Sequence, residues 1–184
     1  CGTFRIEGDT FHGDATEADL AAFDAVVQEW KRAGVEHLRE GEALEVGVQK
    51  IRNRLSPHRV ERLQGGGQTI VVVPDLGGRL LEWHAHGHQW LASPDPDNTW
   101  QLYPMSEGYT EFAIFGLYGY QGWCENYRHA WRGDTLMLTA TLQPDLHLTR
   151  TMRLSEGTLH LRTHLVNRGR TTARFAWGVG LHLN

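Results

Sequence analysis

The sequence predicts a mainly β protein: an antiparallel β-sandwich, a partial supersandwich, preceded by an N-terminal helical segment. Three observations predict it. After Pro57 apolar and polar residues alternate, the period of a half-buried strand. The alternating runs end in Gly, Pro, Asn and Asp turns so short that successive strands are antiparallel neighbours. Each run has one apolar face, and stacking two sheets buries such faces.

Upstream of Pro57 the spacing is helical. Leu20, Phe23, Val27 and Trp30 form one apolar stripe. Asp14 with Glu17, or Thr16 with Asp19, supplies an N-cap and capping-box partner. Lys31 and Arg32 suit the C-terminal end of the helix dipole, and Gly34 ends the helix. Leu44, Val48, Ile51 and Leu55 predict a second helix over 42–55, although Leu44, Val46 and Val48 also alternate like a strand. Pro57 stops either one. The domain division that follows is 1–57 for a helical segment or the end of a preceding domain, and 58–184 for the sandwich.

The β-branched run Gln68 to Val73 is a strand closed by Pro74, and Arg79 to Ala85 is the next one after the turn Asp75-Leu76-Gly77-Gly78. Gly87 reverses the chain into Gln89-Trp90-Leu91, and Ser93 to Asn98 is a loop. Gly65-Gly66-Gly67 reads as a flexible loop between strands. Leu136, Leu138, Ala140 and Leu142 mark one strand face; Leu146, Leu148, Met152 and Leu154 mark the next. Leu159, Leu161, Thr163 and Leu165 follow, and Phe175, Trp177, Val179 and Leu181 form the final strand.

Composition narrows the function. Forty per cent hydrophobic residues and a net charge of −4 give no basic surplus for nucleic acid, and no apolar run reaches a membrane span. Two cysteines, Cys1 and Cys124, make no disulfide framework. A buried thiol at Cys124 and a lone Cys1–Cys124 bridge are the two readings. Cys1 at the start suggests a processing boundary.

Four stretches then acquire meaning together: Val71-Val72-Val73-Pro74-Asp75-Leu76-Gly77-Gly78-Arg79-Leu80-Leu81-Glu82-Trp83, Gly122-Trp123-Cys124-Glu125-Asn126, Leu148 to Leu154 with Leu159 to Gly169, and Phe175 to His182. In this order and spacing, the chain from about Val60 to Asn184 resembles galactose mutarotase-like domains, the aldose 1-epimerases and the related supersandwich modules of glycoside hydrolases. The resemblance implies a carbohydrate-binding or accessory domain of a carbohydrate-active enzyme, truncated at its C-terminus. Its implied partners are a carbohydrate ligand and an adjoining domain of the parent chain, with no nucleic acid, no membrane and no cofactor. An alternative it implies is an aldose 1-epimerase-like enzyme with His182 as general acid, imidazole being suited to proton transfer near neutrality. No glutamate here matches the family's base.

Sugar contacts are expected from Trp123, Glu125, Arg128, His129 and Trp177, because indole faces stack on pyranose rings while charged and amide groups take the hydroxyls. The rival readings are a core position for Trp177, in phase with Phe175 and Val179, a structural role for Glu125, and a plain strand-end position for His182. A third class of function, a metal-binding β protein, comes from His84, His86 and His88, whose alternation resembles a ligand set. A turn at Gly87 argues against their convergence, and no metal is assigned.

Overall fold

A computed structural model describes residues 5–12, 15–39, 42–91, 108–115, 120–142 and 145–184. The chain is mainly β, with antiparallel sheets packed face to face. Asp14, Cys1 and the loop expected over 93–98 lie outside the described residues.

The helical segment begins with two short strands, β1 (Arg5–Glu7) and β2 (Thr10–His12). Helix α1 (Glu17–Arg32) takes Thr16, not Asp14, as its N-cap: Asp19 N–H donates to Thr16 Oγ1 at 3.2 Å and Thr16 N–H donates to Asp19 Oδ2 at 2.8 Å. At its other end Gly34 N–H donates to Lys31 O and Val35 N–H to Trp30 O, the paired bonds of a Schellman ending. A two-stranded ribbon, β3 (His37–Arg39) and β4 (Glu42–Ala43), leads into α2 (Leu44–Leu55). The alternation of Leu44, Val46 and Val48 thus resolves as helix. Val27, Leu44 and Val48 are buried together, with Phe23, Trp30, Val35 and Leu38 around them.

The larger sheet runs β11-β10-β8-β7-β6, where β6 is Glu61–Gly65, β7 Gln68–Val73, β8 Arg79–Ala85, β10 Tyr109–Ile114 and β11 Tyr120–Gln121. Two more strands extend it, β9 (His88–Gln89) on β8 and β16 (Ala176–Leu181) on β10. The second sheet is the meander β12 (Arg128–Arg132), β13 (Thr135–Leu142), β14 (Leu146–Ser155) and β15 (Thr158–Asn167). Between them lies the main core, Leu63, Ile70, Val72 and Leu80 from one sheet against Leu136, Leu138, Leu148 and Met152 from the other. Each such aliphatic side chain contributes roughly 1.5–3 kcal/mol by leaving water.

The opposite face of the larger sheet is covered from the N-terminus. Strand β5 (His58–Arg59) pairs with β2, and Phe11, Val60 and Leu76 pack on Val71, Val73 and Leu81. Arg62 reinforces the joint by donating to Asp9 and to the Gly8 carbonyl.

Two expectations are corrected here. Gly65-Gly66-Gly67 is a tight reversal, since Gly65 already pairs with Gln68. The final strand is not uniformly core: Trp177 packs on the main core, but Val179 and Leu181 are each 53% exposed. No helix among the described residues is long and apolar enough to cross a membrane.

Candidate functional site

A two-residue turn, His86 (φ 53°) and Gly87 (φ 75°), joins β8 to β9. Two successive positive φ angles give the twist that a tight hairpin needs. The reversal brings Trp90 alongside Trp83, and Trp90 N–H donates to Trp83 O at 2.8 Å. Trp83, Trp90, Gln68, Ala85, His86 and Leu183 line an almost wholly apolar pocket of ≈ 280 Å³.

Each indole is fixed through its N–H. Trp83 Nε1 donates to Gln68 Oε1 at 2.8 Å, and Gln68 Nε2 donates to Gly157 O at 2.9 Å, at the turn between β14 and β15. Trp90 Nε1 donates to Ala85 O at 3.3 Å, and the His88 ring meets Trp90 edge-on at 4.9 Å. Trp90 remains 44% exposed. Leu183 is held by its bridge to Leu91, while Asn184 Nδ2 donates to Leu91 O at 2.8 Å. A shallow apolar hollow with fixed aromatic rings suits the apolar face of a sugar.

The residues expected from the sequence occupy separate places. Trp123 donates Nε1–H to Tyr120 O at 3.2 Å, and its backbone lies against Gly77. Glu125 Oε2 accepts the N–H groups of Gly122 at 2.6 Å and Cys124 at 3.1 Å, and its carbonyl accepts Gly77 N–H. That carboxylate therefore braces the bend before β12. Arg128 is exposed on the outer face of the meander, in a groove with Thr139, Thr149 and His147. His129 projects to the other side of β12, where its Nε2 is 3.1 Å from Glu61 Oε1, and Trp131 Nε1 donates to Glu61 Oε2 at 2.7 Å. Trp177 pairs with Ala113 on the core side of β16. His182 follows β16, its N–H donating to Gly108 O at 2.9 Å.

The histidine cluster does not assemble. His84 Nε2 lies 2.9 Å from Glu82 Oε2, His86 sits in the turn and His88 packs on Trp90. Among the described residues no three His, Cys, Asp or Glu side chains are grouped to hold a metal.

Sequence reasoning missed two features. Alternation marks Trp83 and Trp90 only as strand residues, and the Gly87 reversal between them is the signal that they meet. Arg150 is the second, standing in the apolar phase of β14 between Leu148 and Met152. It is fully buried, with Nη1–H donating to Gly77 O at 2.9 Å and Nη2 lying 3.1 Å from Glu111 Oε2. Thr163 Oγ1 and Tyr109 OH also donate to Glu111. An arginine in phase with leucines was the available signal.

Comparisons with family models, with curated proteins and with solved structures find no match to this chain.

Proposed function

We propose that this chain is a carbohydrate-binding accessory domain of the galactose mutarotase-like kind, serving a glycoside hydrolase or related carbohydrate-active protein. The observation that carries the reading is the pocket between Trp83 and Trp90, whose indole N–H groups are already engaged by Gln68 and Ala85. Trp90 is still 44% exposed and Trp83 lines the pocket beside it, and a pyranose offers the matching apolar surface. Titrating neutral mono- and oligosaccharides while following tryptophan fluorescence tests it. At least one sugar is expected to bind, and Trp90→Ala is expected to weaken it about tenfold, or about 1.4 kcal/mol. Lack of any response, or equal binding by the variant, overturns the proposal.

A second reading is an aldose 1-epimerase-like activity with His182 as general acid. What favours it is a buried polar spot on β10, the strand that pairs with β16 just before that histidine. Tyr109 pairs with Leu80 and Leu181, which sets Thr110 near buried Arg79 and next to the Gly180 position. Thr110 Oγ1 is buried with no hydrogen-bond partner among the described residues. Polarimetry of freshly dissolved glucose or galactose decides it: no acceleration of anomer exchange ends this reading.

A further inference from the structure

The outer face of the meander, turned away from the main core, is basic. The two-residue period places Arg128 and Arg132 of β12, Arg153 of β14 and Arg162 of β15 on it. Register gathers them into cross-strand rows. One runs Arg128–Thr139–Thr149–His164 and another Arg132–Thr135–Arg153–His160; Met137–Thr151–Arg162 lies between them. At strand spacings of about 4.8 Å each full row spans roughly 14 Å.

None of the four strands contains an aspartate or glutamate. The adjoining Asp134 pairs with Arg153 at 3.2 Å. Arg128, Arg132, Arg162 and the following Arg168 have no carboxylate partner among the described residues. This happens in a chain whose net charge is −4, so the face opposes the sign of the whole. Two shallow hollows lie on it. One of ≈ 470 Å³ includes Arg128, Thr149, His147 and Arg168; the other, of ≈ 550 Å³, includes Thr151, Arg153, His160 and Arg162.

The geometry points to this face as a binding surface for an acidic polysaccharide, a glycan carrying repeated carboxylates or sulfates. Guanidinium groups take such anions through paired N–H donors. The threonine hydroxyls and imidazoles between them meet the sugar hydroxyls. A single-stranded nucleic acid is held by stacking on aromatic rings, and a duplex by an element that enters a groove. The outward positions of these strands carry no Phe, Tyr or Trp, and the face is a sheet surface. The surface is distinct from the tryptophan pocket and does not rest on the reading of that pocket.

The test titrates the purified chain with polygalacturonate and heparin, with neutral dextran, and with an oligothymidylate of matched charge, at low and physiological ionic strength. Binding to at least one acidic glycan is expected, weakening as salt rises. The double variant Arg128→Gln/Arg162→Gln is expected to lose at least about tenfold in affinity with its unfolding transition unchanged, while Trp90→Ala binds normally. Three results overturn the inference: neither acidic glycan binds, the double variant binds as well as the parent, or the oligothymidylate binds more tightly than both glycans. Failure of neutral sugars at the tryptophan pocket would sink the other proposal and leave this one standing.

Discussion

Arg150 joins the two sheets through Glu111, a buried ion pair closed by Thr163 and Tyr109 and roofed by the Tyr127 ring, 5.5 Å from the guanidinium carbon. Removing one member strands the other's charge in the core, which costs about 3–5 kcal/mol. Arg150→Met is therefore expected to lower stability by that amount in urea denaturation, and adding Glu111→Leu is expected to recover part of it. Burial raises the Tyr127 phenol above its ordinary value near 10; burial, then the hydrogen bond to Glu111, does the same for Tyr109. The unfolded chain thus loses these two protons first. Their contribution to stability is complete below about pH 10 and falls as pH rises above it. Absorbance titration should show at least two of the five tyrosines resisting ionisation until the protein unfolds. Gly77 is constrained in another way: with φ +69°, a Cβ there would sit 2.3 Å from the Trp123 carbonyl carbon, which is backbone and cannot turn aside. Gly77→Ala is expected to cost about 1–3 kcal/mol or more.

At the scale of elements, the helices follow local rules and their docking follows burial. The Thr16–Asp19 box is solvent-exposed and serves α1 alone. Thr16→Ala should cost about 1 kcal/mol, read from chemical denaturation. Phe11 is different. It is 1% exposed and fills the space over Val71, Val73 and Leu81. Phe11→Ala should cost about 3–5 kcal/mol, because the covered sheet face cannot collapse onto the gap. The contrast between these two losses, measured on the same scale, separates a helix-end effect from a joint between the N-terminal strands and the sandwich.

For the whole molecule, coverage of the sheets is uneven. The meander packs over β6, β7, β8, β10 and Trp177 of β16, but Val179 and Leu181 stay exposed although their alternation matches a core strand. Replacing both with threonine should therefore cost less than about 1 kcal/mol, whereas Leu148→Ala, within the covered region, should cost about 2–5 kcal/mol. Urea midpoints of the two variants decide whether the sheets overlap as described. Equal losses would mean that β16 is covered after all.

Much of this was legible in the residues. Gln68–Val73 and Arg79–Ala85 are strands because β-branched and alternating side chains favour a half-buried pleat, and both were read with their observed bounds. Gly34, Gly87 and Pro57 marked reversals or stops because their backbone limits act on nearest neighbours. The candidate pocket was not legible: Trp83, Trp90 and Leu183 meet only after β8, β9 and the segment beyond β16 have taken their places. Nor could the sequence say that Glu125 would spend its carboxylate on Gly122 and Cys124, or that Arg150 would find Glu111. By itself the sequence determined strand phase, turn position and helix limits, since each arises from contacts a few residues apart. Only the tertiary structure decided which apolar faces are covered and which charges are paired, because those depend on partners brought together from distant parts of the chain.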